Sequence, residues 1–240
     1  MPAVSTSTAE SPQPPLPPGR GTHEARGGAS SLRIAARLVA TLVVTGIFGA
    51  ALDQLHVQSG TLSYAQPGPG IDGQPWWVGP QFGIAITGLL LAAAFLTVGP
   101  RAGTKRTRAR TLAFDTAWFI GVYVASALAH HHAYLAAGLF AGVVIARLTR
   151  MQSSAELRLS ASAIVFISIF AIGGVGYEQL LTSAGAFSYT SPTLGNVPIW
   201  LPMLYFTGAI TAIDSAAGFR RWLVSAPAPA LIGEAPTSRR

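Results

Sequence analysis

Five polar side chains stand within or at the ends of long apolar runs: Gln54, Asp115, Glu178, Gln179 and Asp214. A lone carboxylate or amide in apolar surroundings is costly, so each needs a partner or a task. Asp115 lies about one turn into the third run, and Asp214 lies near the end of the sixth. Carboxylates there can accept a hydrogen bond from a bound molecule or a partner. Equally, they can form salt bridges with Arg108, Arg110 or Arg220 at the helix ends. Gln54 and the pair Glu178–Gln179 occupy matching places in two similar segments, where they can fasten a loop to its helix or touch a ligand. His130, His131 and His132 invite a metal reading, with His56 as the one further imidazole suited to join them. Consecutive residues diverge around a helix, and the chain has no His-x-x-x-His with a glutamate, so a solvated turn that could respond to pH is expected instead. There is no Gly-x-Ser-x-Gly elbow, P-loop or paired acid and base. No catalytic residue, metal or cofactor is expected.

These groups must be positioned by a membrane domain. Half the residues are apolar and 10% are charged, against about 25% charged in soluble domains. Six segments approach the roughly 20 residues that cross a bilayer: 34–54, 80–99, 111–129, 133–148, 158–181 and 199–218. The fourth is short and must draw on its flanks. The fold class expected is all-α: a polytopic membrane domain over 31–222, with polar, Pro-rich tails at 1–30 and 223–240. The chain has no cysteine and so no disulfide framework. The net charge of +7 is spread between apolar runs, which suits an anionic leaflet and gives no reason to expect nucleic acid.

Charge also orients the chain. Arg101, Lys105, Arg106, Arg108 and Arg110 separate spans two and three, and Arg147, Arg150 and Arg158 flank the connection between spans four and five. The alternate connections, 53–79, 129–133 and 182–198, contain no Lys or Arg. The positive-inside rule places both termini in the cytosol of a multi-pass cell-membrane protein. The outer connections carry an internal repeat. Gln54-Leu55, Gly60, Leu62-Ser63-Tyr64 and Pro67 recur 125 positions later as Gln179-Leu180, Gly185, Phe187-Ser188-Tyr189 and Pro192. Pro75, Trp77 and Pro80 recur as Pro198, Trp200 and Pro202. Spans one and two thus resemble spans five and six, as a parallel repeat. Trp76, Trp77 and Trp200 are expected as interfacial anchors. Trp118 and Phe119, away from that interface, suit either an aromatic cavity wall or bundle packing.

Phe187-Ser-Tyr-Thr-Ser-Pro192, followed by Ile199-Trp-Leu-Pro202 and Phe206-Thr-Gly-Ala-Ile-Thr211, resembles the signature of the Insig family. Pro75-Trp-Trp-Val-Gly-Pro80, Phe119-Ile-Gly121 and Ala125-Ser-Ala127 are similar to further family motifs. The likeness covers about residues 38–222 and is densest over 187–211. It implies a six-span fold and a non-enzymatic role in sensing a membrane lipid; in eukaryotes the family responds to oxysterols. The family's sterol-contacting Phe falls on Phe119 and its contacting Gln near His130. Its cytosolic acid after span four falls at about Arg147, which reverses the charge, so the eukaryotic protein partners are not carried over.

A lipid moving from bilayer to protein gains little hydrophobic free energy, so selectivity rests on shape and on polar groups facing its head. The residues expected at the lipid are Phe119, Trp118, Asp115, His130 and Gln54. The ligand expected is an amphipath with a small polar head, diacylglycerol-like, or a sterol by family analogy. A lipid or small-molecule transporter is the alternative, and a membrane-embedded hydrolase using the histidines with Asp53 or Glu178 is a third reading. Gly138-x-x-x-Gly142 and other small-residue faces point to a homo-oligomer, with a trimer as one form. No protein partner is named.

Overall fold

The structure, a computed structural model, describes residues 21–66, 68–96, 105–153 and 160–225. The described residues form six α-helices: α1 Gly21–Gln58, α2 Val78–Leu96, α3 Lys105–Leu128, α4 Ala133–Ser153, α5 Ala161–Ser183 and α6 Leu201–Val224. Of the tails expected, 1–20 and 226–240 lie outside the described residues, while α1 takes in 21–30 and α6 runs on to Val224. By length and composition, four stretches can cross a membrane: Ser31–Gln58, Val78–Leu96, His130–Gln152 and Ala161–Ser183. Leu112–Leu128 is apolar but shorter. The fourth span expected, 133–148, gains its length from a 3-10 turn at His130–His132 and from the end of α4.

α6 packs against each of the other five helices. Ala209, Ile210, Ala212, Ile213 and Ala216 are all buried along it. A helix covered on every side belongs at the centre of a bundle, and its small side chains let neighbours approach. α1 and α2 approach still more closely. A Cβ on Gly46 would lie 2.7 Å from the Gly79 carbonyl oxygen, and one on Gly83 would lie 2.6 Å from that of Leu42. The hydroxyls of Thr45 and Thr87 meet across the same seam at 3.2 Å.

α1 and α5 end in the same way. Gly60 and Gly185 have φ of +74° and +73°, the left-handed region where glycine carries no Cβ penalty. At α1, Gly60 N–H donates to Val57 O at 3.1 Å and Thr61 N–H to His56 O at 2.8 Å. At α5, Gly185 donates to Thr182 O at 3.1 Å and Ala186 to Leu181 O at 3.0 Å. Each pair is a Schellman closure that turns the chain out of its helix.

The chain then enters β1, Leu62–Tyr64, or β4, Phe187–Tyr189, and these two strands pair antiparallel. Ser63 faces Ser188, their hydroxyls 3.2 Å apart. Ala65 N–H donates to Ala186 O at 3.3 Å on one side, and Thr190 N–H to Thr61 O at 3.0 Å on the other. β2, Gly70–Ile71, and β3, Gln74–Pro75, form a separate small hairpin. Positive φ at both Asp72 and Gly73 closes it, as a two-residue type I′ turn requires. One buried cluster, including Leu52, Tyr123, Phe140, Tyr189 and Trp200, fills the strand end of the bundle. A second, including Val144, Met151, Phe166, Ile210 and Ile213, fills the opposite end.

Candidate lipid-binding site

Two carboxylates stand at the strand end. Asp53, near the end of α1, accepts from Tyr64 Oη and Gln74 Nε2, each at 2.8 Å. Glu178, near the end of α5, accepts from Tyr189 Oη at 3.0 Å and Tyr205 Oη at 2.8 Å. Neither has an arginine or lysine partner among the described residues. Neutral donors therefore hold them, and in each similar segment a tyrosine eleven positions after the acid is one donor. Burial pushes the Tyr64 and Tyr189 phenols above their ordinary range, and the adjacent carboxylates add to the shift. Both hydroxyls keep their protons and remain donors.

His56 sits one turn beyond Asp53 and is buried, with Nε2 at 2.8 Å from Ser126 Oγ of α3. Thr61 Oγ1 donates to Ala127 O at 3.0 Å, and His130 Nδ1 lies 2.9 Å from the same oxygen. These contacts lash the end of α1 to the end of α3. The histidine triplet is divided, because His130 turns inward while His131 and His132 are exposed.

The tryptophans also part company. Trp76 is exposed, and Trp77 sets its ring edge-on to Tyr64 at 5.6 Å. Trp200, expected at the interface, is fully buried instead, 5.9 Å from His56 and 6.4 Å from Phe140 between ring centroids. The cause is the central course of α6, which draws its first turn inside the bundle along with the helix.

Phe119 is half-buried on the side of α3 that meets α6. Its ring packs edge-on to Tyr123 at 5.9 Å and lies over Gly208 of α6, where a Cβ would come within 3.4 Å of it. Trp118, one position away, points outward with 41% of its surface exposed and its ring against Phe114. Gln54 donates from Nε2 to Asp72 O at 3.3 Å, while its Oε1 is buried without a hydrogen-bond partner. Its counterpart Gln179 donates to Leu194 O at 2.6 Å and accepts from Asn196 N–H at 3.0 Å. Both amides thus reach the loop that follows their own helix.

The opposite end holds an ionic network. Asp115 is fully buried and pairs with Arg150 and, at 3.6 Å, with Arg147. Arg147 also lies 3.8 Å from Asp214 of α6. Its guanidinium donates to Thr207 O and Thr211 Oγ1, each at 3.0 Å. The partners of Asp115 therefore come from α4, in place of Arg110 or Arg220; Arg220 lies over the Phe95 ring. α4 brings two arginines because Arg147 and Arg150 are three positions apart, on neighbouring turns of one face.

Of the five residues expected at a lipid, Asp115 and His130 are therefore buried, Phe119 is half-buried against the core, Gln54 is at the loop and Trp118 is on the outer surface. They are strung along the bundle rather than gathered at one point. Sequence reasoning overlooked Tyr64, Tyr189, Tyr205, Gln74 and the His56–Ser126 pair. Part of that was visible, since Asp53 and Glu178 recur at the same offset as Tyr64 and Tyr189.

No family model matches the chain. It is 28% identical over 221 residues to the insulin-induced gene 1 protein of Gallus gallus, covering 88% of this chain and 84% of that protein. Its fold matches the crystal structure of MvINS, a mycobacterial Insig homologue from Mycobacterium vanbaalenii, with a TM-score of 0.63 and 22% identity. That match covers 78% of this chain and 96% of the homologue. A cross-linked trimer of a cysteine variant of MvINS matches with a TM-score of 0.62 and the same identity and coverage. In sequence and in fold, the chain is an Insig-like, multi-pass membrane protein.

Proposed function

We propose that this protein binds an amphipathic lipid inside its helix bundle and acts as a non-enzymatic lipid sensor. In this reading it spans the cell membrane six times, with both termini cytosolic, and α1–α2 and α5–α6 are copies of a parallel repeat. The observation that carries the reading is the Insig likeness along most of the chain, joined to an interior where Phe119 meets both the Tyr123 ring and Gly208. The matched Schellman ends, acid–tyrosine pairs and loop-binding glutamines support the repeat. The ligand is diacylglycerol-like or sterol-like: a small uncharged head suits a strand end whose hydrogen-bond donors are neutral. The protein is a homo-oligomer, for which the MvINS trimer offers a precedent.

Mass spectrometry of lipids retained after mild-detergent purification tests this. One neutral lipid should be enriched over bulk membrane and depleted in Phe119→Ala and Asp115→Ala. A bulk-like profile, unchanged in both variants, would sink the proposal. Substrate-dependent flux in vesicles would put a transporter in its place.

A further inference from the structure

The Trp200 indole N–H is buried and has no hydrogen-bond partner. A donor enclosed in this way is costly unless something accepts from it. Its neighbour His56 is not free to choose its tautomer. Ser126 Oγ donates its one hydrogen to Tyr123 O at 2.7 Å. In the 2.8 Å contact with His56 Nε2, Ser126 Oγ can then only accept. Nε2 therefore carries the proton, and neutral His56 has a lone pair at Nδ1, which has no partner among the described residues.

The two rings lie nearly parallel, 21° apart; one carries a buried donor without a partner, and the other an acceptor nitrogen that no hydrogen bond engages among the described residues. A hydroxyl can answer both, because it accepts and donates at one oxygen. An ester carbonyl answers only the indole, and a quaternary ammonium answers neither. The surroundings suit the rest of an amphipath. From Trp200, the rings of His56, Tyr123 and Phe119 follow one another at 5.9, 4.6 and 5.9 Å, so an aromatic line runs from the strand end to the side of α3 that meets α6.

We propose that Trp200 and His56 form a hydroxyl-binding subsite, which receives the free hydroxyl of an uncharged lipid whose chains lie along the line to Phe119. The proposal rests on the lipid-binding reading above and assigns the head-group contact within it. The hydroxyl can belong to a diacylglycerol or a sterol, and the test separates them.

Purified full-length protein is titrated with dioleoylglycerol, its O-acetylated form, cholesterol and cholesterol methyl ether, each competing with a fluorescent lipid. Wild type should prefer one free hydroxyl over its capped partner by about tenfold, or about 1.4 kcal/mol. Which pair shows the preference names the source. His56→Phe keeps an aromatic ring but removes the acceptor that only a free hydroxyl can serve, so it should bind capped and free forms alike. If it keeps the wild-type preference, the subsite is wrong while lipid binding stands. If wild type binds no probe, the lipid-binding reading falls too. The indole 15N–1H resonance of Trp200 in wild type gives a readout independent of the variant's folding. It should shift when the free alcohol binds; an unchanged resonance under saturating lipid would mean an ordered water only and overturn the subsite.

Discussion

Replacing Arg147 with methionine should be among the most damaging single changes in this protein. The arginine is 3% exposed, and one terminal nitrogen stands 3.6 Å from Asp115 and 3.8 Å from Asp214. At an effective dielectric constant of about 20, a charge pair near 4 Å is worth roughly 4 kcal/mol before desolvation is counted. Bringing the guanidinium out of water offsets most of that gain, but removing it afterwards leaves buried carboxylates short of a cation. Such losses cost about 3–5 kcal/mol. For a chain of this size, that corresponds to a fall in midpoint of roughly 6–20 °C. Arg147→Met should show that fall in a tryptophan-fluorescence melt of the detergent-solubilised protein. The double variant Arg147→Met/Asp214→Asn removes one charge of each sign and leaves Asp115 facing Arg150. It should regain about 1–3 kcal/mol relative to the single variant. A single variant within about 1 kcal/mol of wild type would refute the assignment, as would a double variant that is worse by the sum of its parts.

Two further outcomes follow from the packing. With no native cysteine in the chain, Ser63→Cys/Ser188→Cys should oxidise to an intramolecular disulfide, seen as a reducible gel shift, because the two positions face each other across β1 and β4. Ser63→Cys alone should react with a membrane-impermeant thiol reagent added outside intact cells; labelling only after lysis would reverse the proposed orientation. Gly83→Ala places a methyl 2.6 Å from Leu42 O and should destabilise the α1–α2 seam by about 1–3 kcal/mol, whereas Gly88→Ala on the same helix, which meets no atom within 4 Å, should not.

Several helix positions were legible because apolar runs and basic punctuation report them directly. The fourth segment shows where that logic blurs: a histidine triplet reads as a polar turn, yet the helical path through His130–His132 continues into α4. The interior site was harder to read. Little in the local sequence foretells the difference between Trp200 and Trp76, since each lies within two residues of a proline at the mouth of a helix. One is buried and the other exposed because α6 is central, which only the tertiary arrangement decides. Trp118 and Phe119 are likewise alike in sequence, but one residue turns a side chain by over a quarter of a helical circuit. Only Phe119 is brought to α6. The partners of Asp115 were missed because they lie more than thirty residues downstream, on a helix whose facing could not be read from its own sequence.

The pairing of β1 with β4 has a consequence for biogenesis. A chain threaded into the membrane from its N-terminus completes the first strand long before its mate, because Ser188 follows Ser63 by 125 residues. Until then β1 is an open edge, with backbone groups that no neighbouring segment satisfies. The clasp is thus a late, high-contact-order step that cannot form before the fifth helix is in place. A chain stopped after α4 would keep its first hairpin but lack both this clasp and the α6 core, and quality control could recognise that exposed edge as the mark of an unfinished molecule.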